Sequence, residues 1–294
     1  MVTAASSLPQ RRVEHLDAAY RTAVRAKRRR ALLFAAAFAV AVILAAISAE
    51  VDLLKLADKI GNFTSYLGRI FHLDDGRLVF ADIGEWYWGI SKWSRLLLET
   101  LIIAYVGTAL GAAGALLVCF AAAANLMPKA WIRVPLRRFL EFCRTVPELV
   151  FALIFVIAFG LGPIPGLLAI AIHTFGALGK QFFEVAENID MKPVEGVTAT
   201  GASWPVAVRF GALPQVAANF VSYALLRFEI NVRGASILGF VGAGGIGQDL
   251  IEAIRKFYYS DVSAILLLII ATVVVIDLVT EQVRHRLIEV EARR

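Results

Sequence analysis

The sequence predicts an all-α, polytopic membrane protein with about six transmembrane helices. Hydrophobic residues make up 59% of the 294 residues and charged residues only 18%, which is too apolar for a soluble domain of this length. Several stretches also supply the roughly 20 apolar residues that a helix needs to cross a bilayer. The net charge of +6 comes from basic residues at the edges of these stretches, which favours the positive-inside rule over nucleic-acid binding.

The first predicted span is residues 31–51, directly after the basic run 27–30. It is too long and too far from residue 1 for a removable signal peptide, so a retained helix is expected. Residues 1–30 form a polar, basic arm whose apolar residues are spaced as on one helical face. We expect this arm to lie on the cytosolic membrane surface, with a disordered basic tail as the alternative.

Residues 52–93 carry no basic excess and are expected to be external. Trp86, Tyr87, Trp88 and Trp93 precede the next span, where aromatic rings favour the membrane interface, so we expect them to anchor it rather than bind a ligand.

The transmembrane core, residues 94–283, holds the remaining spans. Small residues such as Gly107 and Gly111 predict close helix packing in the second span. The loop 127–138 has basic residues and no acid, so it is expected to be cytosolic, as is the tail 284–294. Cys119 and Cys143 are interpreted as packing residues. The spans of the core are predicted at about 96–124, 140–159, 167–183, 214–241 and 262–279.

Residues 184–213 form a long polar loop with a distinctive spacing. Glu195 is followed by Gly201 six residues later and by Pro214 thirteen residues after that. We expect two short helices, with a sharp turn at Gly201 and the next helix starting at Pro214. Four acids, Glu184, Glu187, Asp190 and Glu195, are interpreted as part of a docking surface.

This spacing resembles the cytosolic EAA loop of ABC importer permeases, in which the loop contacts a separate ATPase. The resemblance assigns ATPase coupling to Glu195, Gly201, Ala202, Leu213 and Pro214. The sequence departs from the family pattern at Gly196 and Val197, where alanine is usual, and at Gly211, where isoleucine is common. Chance spacing in an ordinary amphipathic loop is the alternative.

Further segments are similar to the phosphonate-import permeases, with methionine-import permeases sharing some of them in looser form. The run RFEINVR at 227–233 favours phosphonates. The segments are RTVPELV at 144–150, GAS at 201–203, LPQ at 213–215, RFEINVR at 227–233 and GFVGAGGIG at 239–247.

The resemblance implies the type I ABC importer permease fold and a homodimer in the inner membrane, with both termini cytosolic. It implies two copies of an ATPase subunit, which bind ATP and Mg²⁺, and an external or lipid-anchored solute-binding protein that delivers a phosphorus oxyanion. The chain itself lacks a phosphate-loop motif, and no catalytic residue, metal site or bound cofactor is predicted.

Charged residues in the fifth span require an explanation, because each costs about 2.5 to 3.5 kcal/mol on insertion scales. Glu229 and Arg233 are spaced for a same-face ion pair, and Arg227 and Asn231 are likewise four apart. These residues, with Arg144, either line a translocation path that attracts an anion or form structural pairs.

Arg144 and Glu148 flank Pro147 near the predicted cytosolic end of the third span, where they form a gate or cap the helix. His173 and Lys180 could meet the path from the fourth span, although a lone histidine is more often a packing residue.

The glycines at 242, 244, 245 and 247 match the dinucleotide-binding pattern, but no strand precedes them. We interpret Gly242, Gly244, Gly245 and Gly247 as an external turn that contacts another subunit or the binding protein. A glycine nest for phosphate is the alternative.

Two other classes of protein are less well supported. A secondary transporter would be expected to show repeated halves and several intramembrane acids, of which Glu229 alone is firmly placed. A membrane-bound enzyme would need a catalytic constellation that the sequence does not display.

Overall fold

The computed structural model describes residues 10–50, 52–73 and 75–292. Within these ranges the regular structure is helical, apart from a single antiparallel bridge between His72 and Leu78. The chain divides into two compact units, one up to Ser65 and one from Tyr66 onward.

The first unit consists of α1 (Gln10–Ser48) and most of α2 (Leu53–Ile70). Helix α1 has 39 residues and contains no glycine or proline, so nothing in it favours a sharp kink. Its length is about 58 Å at 1.5 Å per residue, which exceeds the thickness of the hydrocarbon core. Residues 10–30 of the basic arm are therefore part of the same helix as the first predicted span, so the alternative of a disordered tail does not hold for them, and their place on the membrane surface stays a prediction.

The second unit begins with a small folded segment, residues 66–73 and 75–93, which we call the cap. It contains the bridge, a 3-10 turn (Val79–Ala81) and α3 (Ile83–Trp86). Trp86 and Trp93 are only 4% and 2% exposed, because they pack against the last two helices of the chain. The prediction that all four aromatic residues anchor the membrane interface is therefore wrong for these two, whereas Trp88 is exposed.

The bundle that follows is built on α4 (Ile90–Ala122) and α7 (Pro163–Glu187). A Cβ added at Gly107 would lie 2.8 Å from Ile170 Cγ2, and one at Gly111 would lie 2.7 Å from the carbonyl oxygen of Ala171. The two helices thus approach as closely as their small residues predicted. Helices α10 (Leu213–Leu238) and α12 (Tyr259–Ala292) complete the bundle.

The predicted third span is broken. Residues 130–145 form α5 (Ala130–Thr145), and α6 (Glu148–Phe159) follows at an angle of 85°. Pro147 causes the break, because a proline pushes the preceding residue toward extended backbone, and Val146 has ψ 123°. Most of the predicted basic loop 127–138 is therefore helical, and a single straight span over 140–159 is corrected.

Among the described residues, four helices are long and apolar enough to cross a membrane, and the number rises to six if each of two bent pairs counts as one span. The second pair is the run Trp204–Val241 with α11 (Ile246–Lys256). The prediction of an all-α protein with about six spans is confirmed. Two short elements, α8 (Met191–Ala199) and α9 (Trp204–Ala207), lie in the loop 184–213.

The helices give the bundle two ends, which are named here for what lies there. The loop end carries residues 184–213, the last turn of α4 and the last turn of α7. The turn end carries the glycines 242–247, the start of α7 and the cap.

Candidate coupling loop and basic cavity

Asp190, in the loop 184–213, is held by two reciprocal hydrogen bonds to Gln215. Gln215 Oε1 accepts from the backbone N–H of Asp190 at 3.1 Å, and Gln215 Nε2 donates to the carbonyl of Asp190 at 3.0 Å. The Asp190 side chain in turn accepts from the N–H of Lys192 and caps α8. Motif spacing did not reveal this role of Gln215, because its partner, Asp190, lies 25 residues earlier in the sequence.

Gly201 makes the sharp turn that the sequence predicted. Its φ is 83°, a left-handed conformation that favours glycine, and its N–H donates to the carbonyl of Thr198. The predicted pair of short helices is confirmed as α8 and α9 on either side of this turn.

Pro214 lies in the first turn of α10, as predicted, but this helix follows an earlier helical run without a break. The chain is helical from Trp204 onward, through a π-helical segment (Val208–Ala212), into α10. Leu213 N–H donates to the carbonyl of Val208, five residues back. Because Pro214 has no N–H, the α-helical ladder cannot continue unchanged through it, and the wider π turn lies directly before it.

Gly211 has a structural reason for departing from the family pattern. A Cβ at this position would lie 2.8 Å from Val194 Cα, so α8 rests on the backbone of the π-helical segment. Gly196, the other glycine that departs from the pattern, has nothing within 4 Å of such an atom.

A hollow of about 460 Å³ opens between α8 and α9. Its lining is mostly apolar and includes Glu195 and Ala202, whereas Gly201, Leu213 and Pro214 do not line it. Trp204 closes one side, and its Nε1 donates to the carbonyl of Leu126 at 2.9 Å. Of the five predicted coupling residues, Glu195 and Ala202 therefore line this hollow. The others lie in the turn after α8 and at the start of α10.

The four acids of the loop do not form one common surface. Glu187 accepts the N–H of Ala124 at 2.7 Å and pairs with Arg137, which joins α4, α5 and α7. Glu184 pairs with Lys180 at 3.3 Å. Glu184, Asp190 and Glu195 are exposed and Glu187 is half-buried, so the docking interpretation stays a prediction for the three exposed acids.

A second hollow, of about 450 Å³, lies where the last turn of α5 meets α7 and α10. We call it the basic cavity, because Arg144, His173, Lys180 and Arg227 line it with Glu184 as its acid. Arg144 lies beside the middle of α7, since a Cβ at Gly176 would be 2.6 Å from Arg144 N. Arg144, which is exposed, and Glu148, which is half-buried, therefore lie beside the middle of α7, at the break between α5 and α6.

His173 joins the two arginines of the cavity. Arg227 Nη2 donates to His173 Nδ1, so the ring proton is assigned to Nε2, which donates to the carbonyl of Arg144 at 3.2 Å. Arg227 Nε is buried and has no hydrogen-bond partner among the described residues. The predicted relation of Arg227 to Asn231 is corrected, because the partner of Arg227 comes from another helix.

The remaining charged and polar residues of the run 227–233 lie elsewhere. Asn231 is fully buried and donates to Thr108 Oγ1 and Thr174 Oγ1, both at 2.8 Å. The predicted ion pair of Glu229 and Arg233 is confirmed at 2.5 Å, and Asp277 on α12 lies 3.7 Å from Arg233. None of these three members of the run lines the basic cavity.

The glycine turn has the backbone that its composition predicted, with φ between 80° and 87° at Gly242, Gly244 and Gly245. Its close contacts are within the chain, since a Cβ at Gly247 would lie 2.0 Å from the carbonyl oxygen of Ser236. The N–H of Gly245 donates to Glu99 Oε1 at 3.2 Å. Because a carboxylate of α4 holds this amide, the phosphate-nest alternative is not supported.

The fold and the loop define a multi-pass membrane permease. Residues 114–288, more than half of the chain, match the family described as binding-protein-dependent transport system inner membrane component. The chain belongs to this family and is a permease subunit of an ABC importer, as the sequence predicted. Family membership implies a separate ATPase and a solute-binding protein as partners.

Named relatives are transport permeases. The chain is 41% identical over 189 residues to the phosphite transport system permease protein PtxC of Stutzerimonas stutzeri, covering 64% of this chain and 69% of that one. It is 37% identical over 194 residues to the phosphate-import permease protein PhnE of Mycolicibacterium smegmatis, covering 66% of this chain and 36% of that one.

A solved structure shares the fold. The MetNI methionine ABC transporter, in an inward-facing conformation, matches with a TM-score of 0.58 and 18% identity, over 68% of this chain and 96% of that one. The predicted type I importer permease fold is thereby confirmed.

Proposed function

We propose that this chain carries a phosphorus oxyanion, namely a phosphonate, phosphite or phosphate, across the inner membrane. The basic cavity carries this proposal. Two arginines, one lysine and one histidine line a hollow between α5, α7 and α10, and the buried Nε of Arg227 has no hydrogen-bond partner among the described residues. Guanidinium groups suit phosphorus oxyanions because they offer several donors in a fixed plane. The phosphite and phosphate permeases named above are similar to this chain, which supports the same class of cargo.

In this proposal the loop end faces the cytosol. Glu195 and Ala202 contact the ATPase at the hollow between α8 and α9, while Gly201, Leu213 and Pro214 set the angle of those helices. Two ATPase copies bind ATP and Mg²⁺, and two copies of the permease form the path. Both termini are cytosolic, and the binding protein delivers its cargo at the turn end.

The run 227–233 has two roles in this proposal. Arg227, with Arg144, meets the anion. Asn231 and Arg233 hold α10 against its neighbours, and Glu229 pairs with Arg233 on α10 itself.

The test is uptake by the complete transporter in proteoliposomes, with labelled phosphite, phosphate and methylphosphonate supplied on the binding protein. Arg227→Leu should lower uptake at least tenfold, and Arg227→Lys should retain part of it because the charge remains. The control is Arg138→Leu, since Arg138 is exposed and pairs with Glu141 on its own helix. Unchanged uptake of all three anions by Arg227→Leu, with the protein correctly assembled, would contradict the proposal.

A further inference from the structure

The cap is attached to the turn end by specific hydrogen bonds. Trp86 Nε1 donates to Ser263 Oγ at 3.0 Å and to the carbonyl of Ser260 at 3.2 Å. Trp88 Nε1 donates to Asp261 Oδ1 at 2.9 Å. These three acceptors lie in the first turns of α12, so a force on the cap acts directly on that helix.

The outer surface of the cap is rich in exposed apolar side chains. Phe80, Ile83 and Trp88 are 64%, 63% and 68% exposed. Phe257 and Tyr258, at the junction of α11 and α12, are also exposed. A notch of about 370 Å³ separates the cap from this junction, and Glu85, Trp88, Tyr258 and Asp261 are among its lining residues.

Charged pairs are interspersed with these apolar side chains. Arg77 lies 3.0 Å from Glu85, and Lys92 lies 2.7 Å from Asp249. Several exposed ion pairs would be costly against lipid hydrocarbon. A mixture of exposed aromatic side chains and charged groups is instead typical of a protein interface, where aromatic residues form the anchors and charges form the rim.

The position of the cap at the turn end indicates which partner docks on it. The cap lies at the turn end and includes the first residues of α4, whereas the loop proposed to contact the ATPase lies at the opposite end of α4 and α7. The family is binding-protein-dependent, so a soluble protein must reach the end opposite the ATPase. The cap also lies outside the matched residues 114–288, so the family match does not assign it a role.

We propose that the cap, together with Phe257 and Tyr258, forms the docking surface for the solute-binding protein of this transport system. The proposal rests on the orientation given under the proposed function. The partner buries Phe80, Ile83 and Trp88 and places charged side chains at the rim. Docking then acts on α12 through the hydrogen bonds of Trp86. It acts on the start of α4 because the cap continues directly into that helix.

The test uses the complete transporter, permease with its ATPase, in nanodiscs, and the purified binding protein with and without phosphite. Ile83→Glu should raise the binding-protein concentration for half-maximal ATPase stimulation about tenfold, because it introduces a charge into an apolar contact. The ATPase rate without binding protein should not change. Ile83→Leu is the matched control and should behave like the unaltered protein.

A photo-reactive residue at position 83 should cross-link to the binding protein, and one at Trp131, which is exposed near the loop end, should not. Unchanged stimulation by Ile83→Glu would overturn the docking proposal, as would cross-links only to lipid or to a second permease copy.

Two measurements separate this proposal from the proposed function. An impermeant maleimide added to whole cells should label Ile83→Cys, since the native Cys119 and Cys143 are buried. Failure to label would contradict the orientation. Loss of stimulation by Ile83→Glu in a transporter that does not carry phosphorus oxyanions would support docking and contradict only the cargo.

Discussion

Thr100 Oγ1 accepts the backbone N–H of Ile246 at 2.9 Å, although the two residues are 146 positions apart. The same hydroxyl donates to the carbonyl of Leu96, so both its donor and its acceptor functions are used. Ile246 is the first residue of α11, and helix starts leave N–H groups without intrahelical partners. A side chain of α4 therefore completes the start of α11 and fixes the glycine turn against the bundle.

We expect Thr100→Val to destabilise the permease, because the N–H of Ile246 would remain buried without an acceptor. The expected cost is about 1 to 3 kcal/mol, the penalty for an unsatisfied buried group. Thr272→Val is the matched control, since the hydroxyl of Thr272 donates only to the carbonyl of Leu268 in its own helix. Thermal unfolding in one detergent should show a clearly lower Tm for Thr100→Val alone, and equal shifts would contradict the role of this contact.

Gly211→Ala is expected to disturb the coupling loop. The added Cβ would lie 2.8 Å from Val194 Cα, so α8 has to move away from the π-helical segment. Overpacking of this kind costs about 1 to 3 kcal/mol. We expect uptake to fall at least fivefold while the protein still inserts into the membrane.

Gly196→Ala supplies the control for that experiment, because its Cβ meets nothing within 4 Å. Alanine is also the better helix former, so this variant should be as stable as the parent or slightly more stable. Reconstituted uptake and ATPase rates should separate the two variants. Equal losses in both would show that the approach of α8 to Gly211 does not matter.

The sequence predicted the helical class, the turn at Gly201 and the pair of short helices, because each rests on local chemistry. A glycine with the correct spacing and an apolar run of membrane length are visible without tertiary contacts. The break at Pro147 was also signalled locally, but its position inside an apolar stretch suggested one continuous span.

Contacts between helices that are far apart along the chain could not be predicted from the sequence. Spacing assigned Arg227 to Asn231, four residues on, whereas its partner is His173 on another helix. Likewise, the composition around Trp86 indicated a membrane interface, but the indole is buried among residues from the last part of the chain. A hydrophobic pattern indicates that a side chain is shielded from water, but only the tertiary fold determines whether lipid or protein shields it.

Asn231→Ala should destabilise the bundle, because Asn231 donates to hydroxyls on both α4 and α7. Each buried hydrogen bond contributes about 1 kcal/mol, and the truncation also leaves a small cavity. Asn219→Ala, at an exposed position of the same helix, is the control and should change stability by less than about 0.5 kcal/mol. Tm values in detergent would test this, and similar Tm values for the two variants would argue against a central role for Asn231.

Arg233→Leu should reduce the amount of folded protein in the membrane, and a second substitution should partly restore it. Arg233 lies between Glu229 and Asp277, so its removal leaves two carboxylates close together without a cation. Removing one partner of such a pair is generally worse than removing both, because an uncompensated charge remains. Adding Glu229→Gln to Arg233→Leu should therefore raise the folded fraction above that of Arg233→Leu alone. Fluorescence-detected size exclusion of the detergent-solubilised protein measures this fraction, and a double variant with no more folded protein than the single one would contradict the ion-pair explanation.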